Sequence, residues 1–323
     1  MSRKNLLLLL ILLVQAGLVV YALMPEKHQA AKEKIFVSDI SKEAVTGLTI
    51  ADDKQSLELF RQDGKWLVDR EQKYPADADK VNGFIDKLLK LKSHRLVTTT
   101  AASHVRLKVA DQLFNKKVTI SAGDRQVSLF FGTSPSNKTL HVRLEGEDEV
   151  YMARDLSAWE IQANNESWWL GKYIDLPEDT IASLSVTNSG GSFTLKRKDD
   201  GTWALAGGGT ALDSKGVNQF VGKTTHLPLL KYLGQQDKKE YGLTKPEATL
   251  VYTEKNGATV TLAIGPKNAD ENNHVLKADN SPFYVSVADY VVEPLLQQKA
   301  DSFAAPVKPA VEPAAAEPPA KTE

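Results

Sequence analysis

Any chemistry in this chain has to come from six histidines, a scatter of carboxylates and a few serine- or glycine-rich turns, because there is no cysteine. That absence removes thiol nucleophiles, disulfides, zinc–thiolate sites and an acylated cysteine. His28, His94, His104, His141, His226 and His274 include no pair at i, i+4 and no His-Glu-x-x-His order, so no zinc-protease helix is indicated. His141 and His274 occupy matching places at the start of two strands. Two such imidazoles would converge at a pseudo-twofold interface, whereas the simpler expectation is a half-buried histidine packed on its own strand. Gly207-Gly208-Gly209 lacks the Lys-Ser/Thr of a phosphate loop and reads as a connection into a helix. Gly132-Thr133-Ser134-Pro135-Ser136 is not Gly-x-Ser-x-Gly and lies between strands, away from the strand-to-helix elbow that holds a nucleophilic serine. The Glu145–Glu149 run has neither the spacing nor the turn glycine of a calcium loop and reads as a solvated turn. A glycosidase needs two carboxyls about 5–9.5 Å apart across a cleft, and no pattern here marks such a pair. The expectation is therefore a non-enzymatic protein with no catalytic residue, no cofactor and no metal ligand.

The elements that would position these groups occur twice. Asp63-Gly64-Lys65-Trp66 is echoed by Asp200-Gly201-Thr202-Trp203 at an offset of 137, and Val81-Asn82-x-Phe84 by Val217-Asn218-x-Phe220 at 136. Gly132 and His141-Val142 recur as Gly265 and His274-Val275 at 133, a drift that small loop changes would produce. Solenoid units repeat at about 20–50 residues, so a repeat this long is a whole small domain. Alternating apolar residues predict strands around Leu48–Ile50, Leu57–Leu59, Trp66–Val68, Val118–Ile120, Val127–Phe131, Leu140–Leu144 and Val150–Met152. Asp77 opens a helix whose Val81, Phe84, Ile85, Leu88 and Leu89 form one stripe, and a short helix near Leu156–Ile161 closes the unit. The second copy predicts strands at Leu184–Val186, Phe193–Lys196, Trp203–Leu205, Thr249–Thr253, Val260–Ile264, His274–Lys277 and Phe283–Val287. Asp213 caps its helix, and a last helix covers about Ala288–Gln298. Trp66 and Trp203 follow the turn glycines and are expected to pack in the core, where exposed indoles would instead suggest sugar stacking. The fold class is α+β, with tandem duplicated units of mainly antiparallel strands and one or two packed helices each.

Arg3 and Lys4 precede an apolar run, Leu6–Met24, long enough to span roughly 28 Å as a helix. It is too long for a signal peptide core, and Val20-Tyr21-Ala22 is a poor cleavage site. Positive charge stays cytoplasmic, which predicts a single-pass anchor after a transmembrane helix, with the bulk of the chain in a bacterial periplasm. The expected order is 1–24 tip and anchor, 25–44 polar stalk, 45–164 first unit, 165–180 bridge, 181–300 second unit and 301–323 a disordered Pro/Ala-rich tail. Trp168, Trp169 and Tyr173 make the bridge too apolar for a free linker and suggest a groove between the units. With a net charge of −1 and interspersed signs, nothing favours nucleic acid.

The Asp-Gly-x-Trp turns, the Val-Asn-x-Phe helices, Glu240-Tyr241-Gly242-Leu243-Thr244-Lys245-Pro246 and Gly265 before His274-Val275 resemble the bacterial family catalogued as domain of unknown function 4340. Phe131-Gly132-Thr133-Ser134-Pro135, His141-Val142-Arg143 and Trp168-Trp169-Leu170 resemble it too, over roughly residues 40–300. The first unit departs by lacking Tyr-Gly-Leu-x-x-Pro: its nearest counterpart, Val109-Ala110-Asp111-Gln112-Leu113-Phe114, has neither Gly nor Pro. Members are typically membrane-anchored and often encoded beside ABC transporter subunits. The resemblance thus implies an envelope accessory protein whose partners are envelope membrane proteins, and it supplies no catalytic residue. Docking to a transport or envelope-assembly complex is the leading expectation. A glycan or lipid-linked polymer binding module and a carboxylate-based envelope hydrolase are the alternatives.

Overall fold

Alternating apolar residues make strands here because each strand buries one side. In the computed structural model, which describes residues 33–208 and 211–305 together with Leu12, Val14 and Gln15, the chain divides into two compact units, one ending at Trp168 and the next starting at Trp169. The first contains β1 (Gly47–Ala51), β2 (Ser56–Gln62), β3 (Lys65–Val68), β4 (Tyr74–Pro75), helix α1 (Ala78–Leu89), β5 (Ser93–Thr98) and a one-turn helix α2 (His104–Leu107). A small hairpin, β6 (Val109–Ala110) and β7 (Leu113–Phe114), precedes β8 (Lys116–Ala122), β9 (Arg125–Phe131), β10 (Thr139–Leu144) and β11 (Val150–Arg154). Nine of these strands form one sheet in the order β4-β3-β2-β1-β8-β9-β10-β11-β5, with antiparallel pairing throughout. Leu48, Ile50, Leu57, Leu59, Val118 and Ile120 are buried, each worth about 1.5–3 kcal/mol relative to exposure. Asp77 caps α1 by accepting from Lys80 N at 3.0 Å, and the helix buries Val81, Phe84, Ile85 and Leu88.

The second unit is built in the same order. It contains β12 (Lys172–Asp175), β13 (Ile181–Asn188), β14 (Gly191–Arg197), β15 (Trp203–Leu205), α3 (Ser214–Thr225), β16 (His226–Pro228) and β17 (Lys231–Tyr232). Then come β18 (Ala248–Glu254), β19 (Thr259–Asn268), β20 (Asn273–Ala278), β21 (Tyr284–Ala288) and α4 (Asp289–Gln297). Its main sheet runs β15-β14-β13-β18-β19-β20-β21-β17, and β12 pairs β16 separately. In each main sheet the first strand in chain order joins the strand that opens the second meander (β1 to β8, β13 to β18), while a short strand that follows the helix adds at the far edge (β5 beside β11, β17 beside β21). The fold is α+β with mostly antiparallel strands.

Several boundaries differ from the expected ones. Residues 33–44 are not free stalk: Phe36, Val37 and Ile40 are buried, and Phe36 N donates to Leu91 O at 3.2 Å. The first residues of the expected tail also pack, since Phe303 is buried against Phe193 and Phe220 and Leu212 bridges Ala304. These short apolar anchors are too sparse to show periodicity, so composition alone hid them. The expected bridge divides. Trp168 packs on Phe84 in the first unit, whereas Trp169 meets Tyr232 and the Tyr173 hydroxyl donates to Phe283 O at 2.7 Å in the second. Apart from Leu12, Val14 and Gln15, the anchor expected over Leu6–Met24 lies outside the described residues, as does the tail from residue 306. Among the described residues no helix is long and apolar enough to cross a membrane.

Candidate functional site

An exposed aromatic surface beside a cleft lies where α1 of the first unit meets the short turn Ala158–Glu160. Ser157 N donates to Glu160 Oε2 at 2.9 Å, closing a capping box that holds the turn in shape. That turn lifts Trp159 into solvent, 71% exposed. Beside it is a cleft of about 520 Å³, with Phe84 and Trp168 among its apolar lining and Lys80, Lys87, Glu160 and Gln162 among its polar lining. The floor is stiff. Trp168 Nε1 donates to Gln162 O at 2.8 Å, its carbonyl accepts from Asp77 N at 2.8 Å, and its ring meets Phe84 at 5.3 Å. Lys80 lies over the Trp168 ring with Nζ 5.3 Å from the centroid and donates to Ser167 O, and Lys87 pairs with Glu160. A rigid aromatic floor, one exposed indole and flanking charges can hold an apolar side chain or a sugar ring, but they offer no nucleophile with an aligned base. Trp159 was not singled out by periodicity, since a lone aromatic in a turn has no pattern to belong to.

The residues singled out by sequence are placed as follows. Trp66 and Trp203 are buried, and Trp66 Nε1 donates to Asn82 Oδ1 at 3.1 Å. Gly64 and Gly201 take left-handed backbone at φ +78 and +83, which their Asp-Gly turns require. Phe84 and Phe220 are buried on their helices. His141 stands on β10 with Nδ1 2.8 Å from Thr133 Oγ1. His274 on β20 has Nδ1 2.9 Å from Gly265 O and Nε2 3.0 Å from Asp289 Oδ1. Each imidazole is thus engaged inside its own unit. Ser134 Oγ donates to Thr139 O at 2.6 Å within a loop of hydroxyl contacts and has no histidine partner among the described residues. Of the glycine run, Gly207 and Gly208 have positive φ, and Gly209 lies outside the described residues. In the Glu145–Glu149 turn, Glu145 pairs with Lys117 at 2.7 Å and Glu147 with Lys34. Among the described residues no group of three or more His, Asp or Glu is arranged to hold a metal ion.

Gly132 and Gly265 have a role that their spacing alone did not disclose. A Cβ on Gly132 would sit 2.0 Å from Leu107 O, and one on Gly265 would sit 2.2 Å from Tyr241 O. Each glycine therefore makes room for the turn that packs against it. That turn ends in left-handed backbone in both units, at Lys108 (φ +59) after Leu107 and at Gly242 (φ +64) after Tyr241. The first unit's counterpart of Tyr241-Gly242 is therefore Leu107-Lys108 and not Val109–Phe114, and the lysine in the glycine's place concealed it. A side chain in that backbone region costs about 1–2 kcal/mol, while glycine loses about 0.5–1 kcal/mol in chain entropy. Lys108→Gly is accordingly expected to raise stability by up to about 1 kcal/mol, read as a higher urea midpoint at unchanged slope.

A family model described as Domain of unknown function (DUF4340) matches residues 66–246, from Trp66 to Pro246. No curated protein and no solved structure matches the chain.

Proposed function

The chain belongs to the DUF4340 family, and we propose that it is a non-enzymatic docking module of the bacterial cell envelope. In this reading Leu6–Met24 anchors it in the inner membrane with the N-terminus cytoplasmic, and the two units are diverged copies of one fold standing in the periplasm. The repeated landmarks and the shared strand order support the duplication; the two basic residues ahead of the apolar run support the orientation. The partner is a membrane protein of a transport or envelope-assembly complex, with ABC transporter subunits the first class to examine.

The observation that carries the docking role is Trp159, 71% exposed at the rim of the aromatic cleft. Large exposed aromatics beside a preformed pocket are the usual anchors of protein interfaces. The cleft suits an apolar side chain from a partner segment, with carboxylates of that segment placed near Lys80 and Lys87. A photo-crosslinking residue at position 159 in intact cells should capture a specific envelope protein, while one at the exposed turn residue Asp124 should not. Capture of the same proteins from both positions, or of none from 159, would count against the docking role. Trp159→Ala should abolish the capture of that partner by a second crosslinker at Lys87 while changing stability by less than about 0.5 kcal/mol.

A second reading, a module for glycan or lipid-linked polymer, draws on the same indole. Trp159 stands beside Glu160 and Gln162, and an exposed ring next to hydrogen-bonding groups also suits a pyranose face. Saturable quenching of tryptophan fluorescence by envelope glycan fragments, lost in Trp159→Ala, would favour it over a protein partner.

A further inference from the structure

On the first unit's sheet, His141 of β10 lies opposite Met152 of β11, and Met152 lies opposite Arg95 of β5. Residues directly opposite each other project from the same face. With strands about 4.8 Å apart, Arg95 and His141 stand roughly 10 Å from each other across Met152. Helix α2 lies over this face: Leu107 joins Phe130 and Val150 in one apolar cluster, and Thr133 N donates to Leu107 O at 3.0 Å. That tie brings Arg106, the residue before Leu107, up to Thr133 and His141. The Thr133 hydroxyl is itself 2.8 Å from His141 Nδ1.

Arg95 and Arg106 are exposed and have no carboxylate partner among the described residues. Lys34, Lys42, Arg70, Lys116 and Lys117 of the same unit each face an Asp or Glu. Other cations, Arg61 and Arg154 among them, face none among the described residues, so what sets Arg95 and Arg106 apart is that both stand beside one imidazole. Burial holds the His141 imidazole below its usual pKa, and the charges of Arg106 and Arg95 push it the same way. The place over Met152 is therefore flanked by two exposed guanidiniums that no Asp or Glu pairs among the described residues. His274, at the matching position of the second unit, is instead bonded to Asp289.

We propose that this place, between Arg95 and Arg106 and rimmed by His141 and Thr133, binds a phosphate group. Two guanidinium forks match the several acceptor oxygens of a phosphate, whereas a single carboxylate would satisfy only one of them. The ligand is either free phosphate or the phosphate of a lipid headgroup. It uses none of the residues that line the Trp159 cleft, so it stands whether or not that cleft docks a partner.

Isothermal titration of the full-length chain in neutral detergent tests it, first with inorganic phosphate and then with short-chain phosphatidylglycerol, each against Arg95→Gln and Arg106→Gln. Both arginines are exposed, so both variants should fold, and unchanged thermal unfolding checks this. Saturable binding of inorganic phosphate, weakened about tenfold or more by either substitution, identifies a free-phosphate site. Binding of the lipid alone, with the same loss, identifies a headgroup site. Absence of saturable binding by either probe, or binding that both substitutions leave unchanged, overturns the proposal.

Discussion

Alanine at Gly132 or at Gly265 is expected to destabilise the unit that carries it by at least about 3 kcal/mol, a large part of the 5–15 kcal/mol that separates native from unfolded chains. The added methyl at Gly132 would lie 2.0 Å from Leu107 O and 2.7 Å from Val109 Cγ1. At Gly265 it would lie 2.2 Å from Tyr241 O and 3.2 Å from Val275 O. The nearest atom in both cases is a backbone oxygen, which has no rotamer to move into. Leu107 O is further held as the acceptor of Thr133 N. Relief requires lifting α2 off the Phe130–Val150 cluster in one unit, or the Lys239–Tyr241 turn away from β19 in the other. Overpacking that displaces backbone reaches or exceeds the upper end of the usual 1–3 kcal/mol. Gly64→Ala is the comparison: no atom lies within 4 Å of its Cβ, but its φ is +78, so it should lose only about 1–2 kcal/mol. Urea unfolding with amide exchange to localise the change would decide it. A Gly132→Ala midpoint equal to that of the unaltered chain would mean that the close approach carries no stability.

Arg143→Met carries the other large expected loss, about 3 kcal/mol. Arg143 is buried on β10, with Nε donating to Val109 O at 2.7 Å, one terminal nitrogen to Glu147 O at 3.1 Å and the other to Asp111. Its guanidinium also lies 4.5 Å from the centroid of the Phe130 ring. One planar group thus ties the β6–β7 hairpin, the Glu145–Glu149 turn and the sheet face together. Methionine would fill much of the volume but leave two carbonyls without their donor, each worth about 1–3 kcal/mol when buried. Arg143→Lys should recover little, because a single ammonium cannot reach three acceptors set in a fork. Asp111→Asn should cost under about 1 kcal/mol, since the Asp111 side chain is 72% exposed and its pairing is screened by water. A loss in Arg143→Met no larger than in Asp111→Asn would show that the hairpin is held by Leu107 and Val109 alone.

Much of the fold was legible in local pattern. The i, i+3, i+4, i+7 stripe and the capping Asp77 placed α1 within a residue or two of Ala78–Leu89, and alternation marked β1, β2, β8 to β10 and β18 to β21 close to their limits. What escaped was short or non-local. β5 has little alternation, with His94, Arg95 and Leu96 all exposed, and becomes a strand because β11 offers it a free edge. β16 and β17 are three and two residues long, shorter than any periodic window. The Leu107-Lys108 turn hid behind a lysine in left-handed backbone, a conformation imposed by the contacts of Leu107 and not by residue type.

The two surfaces assigned here were less legible still. Trp159 is one aromatic in a turn, and its importance comes from the cleft that Phe84 and Trp168 build beside it from positions far apart in sequence. Arg95, Arg106, Thr133 and His141 lie on four separate segments: the β10–β11–β5 register brings Arg95 near His141, and the hydrogen bonds of Thr133 to Leu107 O and to His141 bring the other two. By itself the sequence determined where strands, turns and helices form, that the two halves carry the same landmarks, and that an apolar N-terminal run follows two basic residues. These are properties of neighbours a few residues apart, where side-chain periodicity, glycine and capping residues act directly. The tertiary structure alone decided which strands share an edge, which side chains face each other and which charges lack a partner, because those depend on contacts between residues brought together only when the apolar faces are buried.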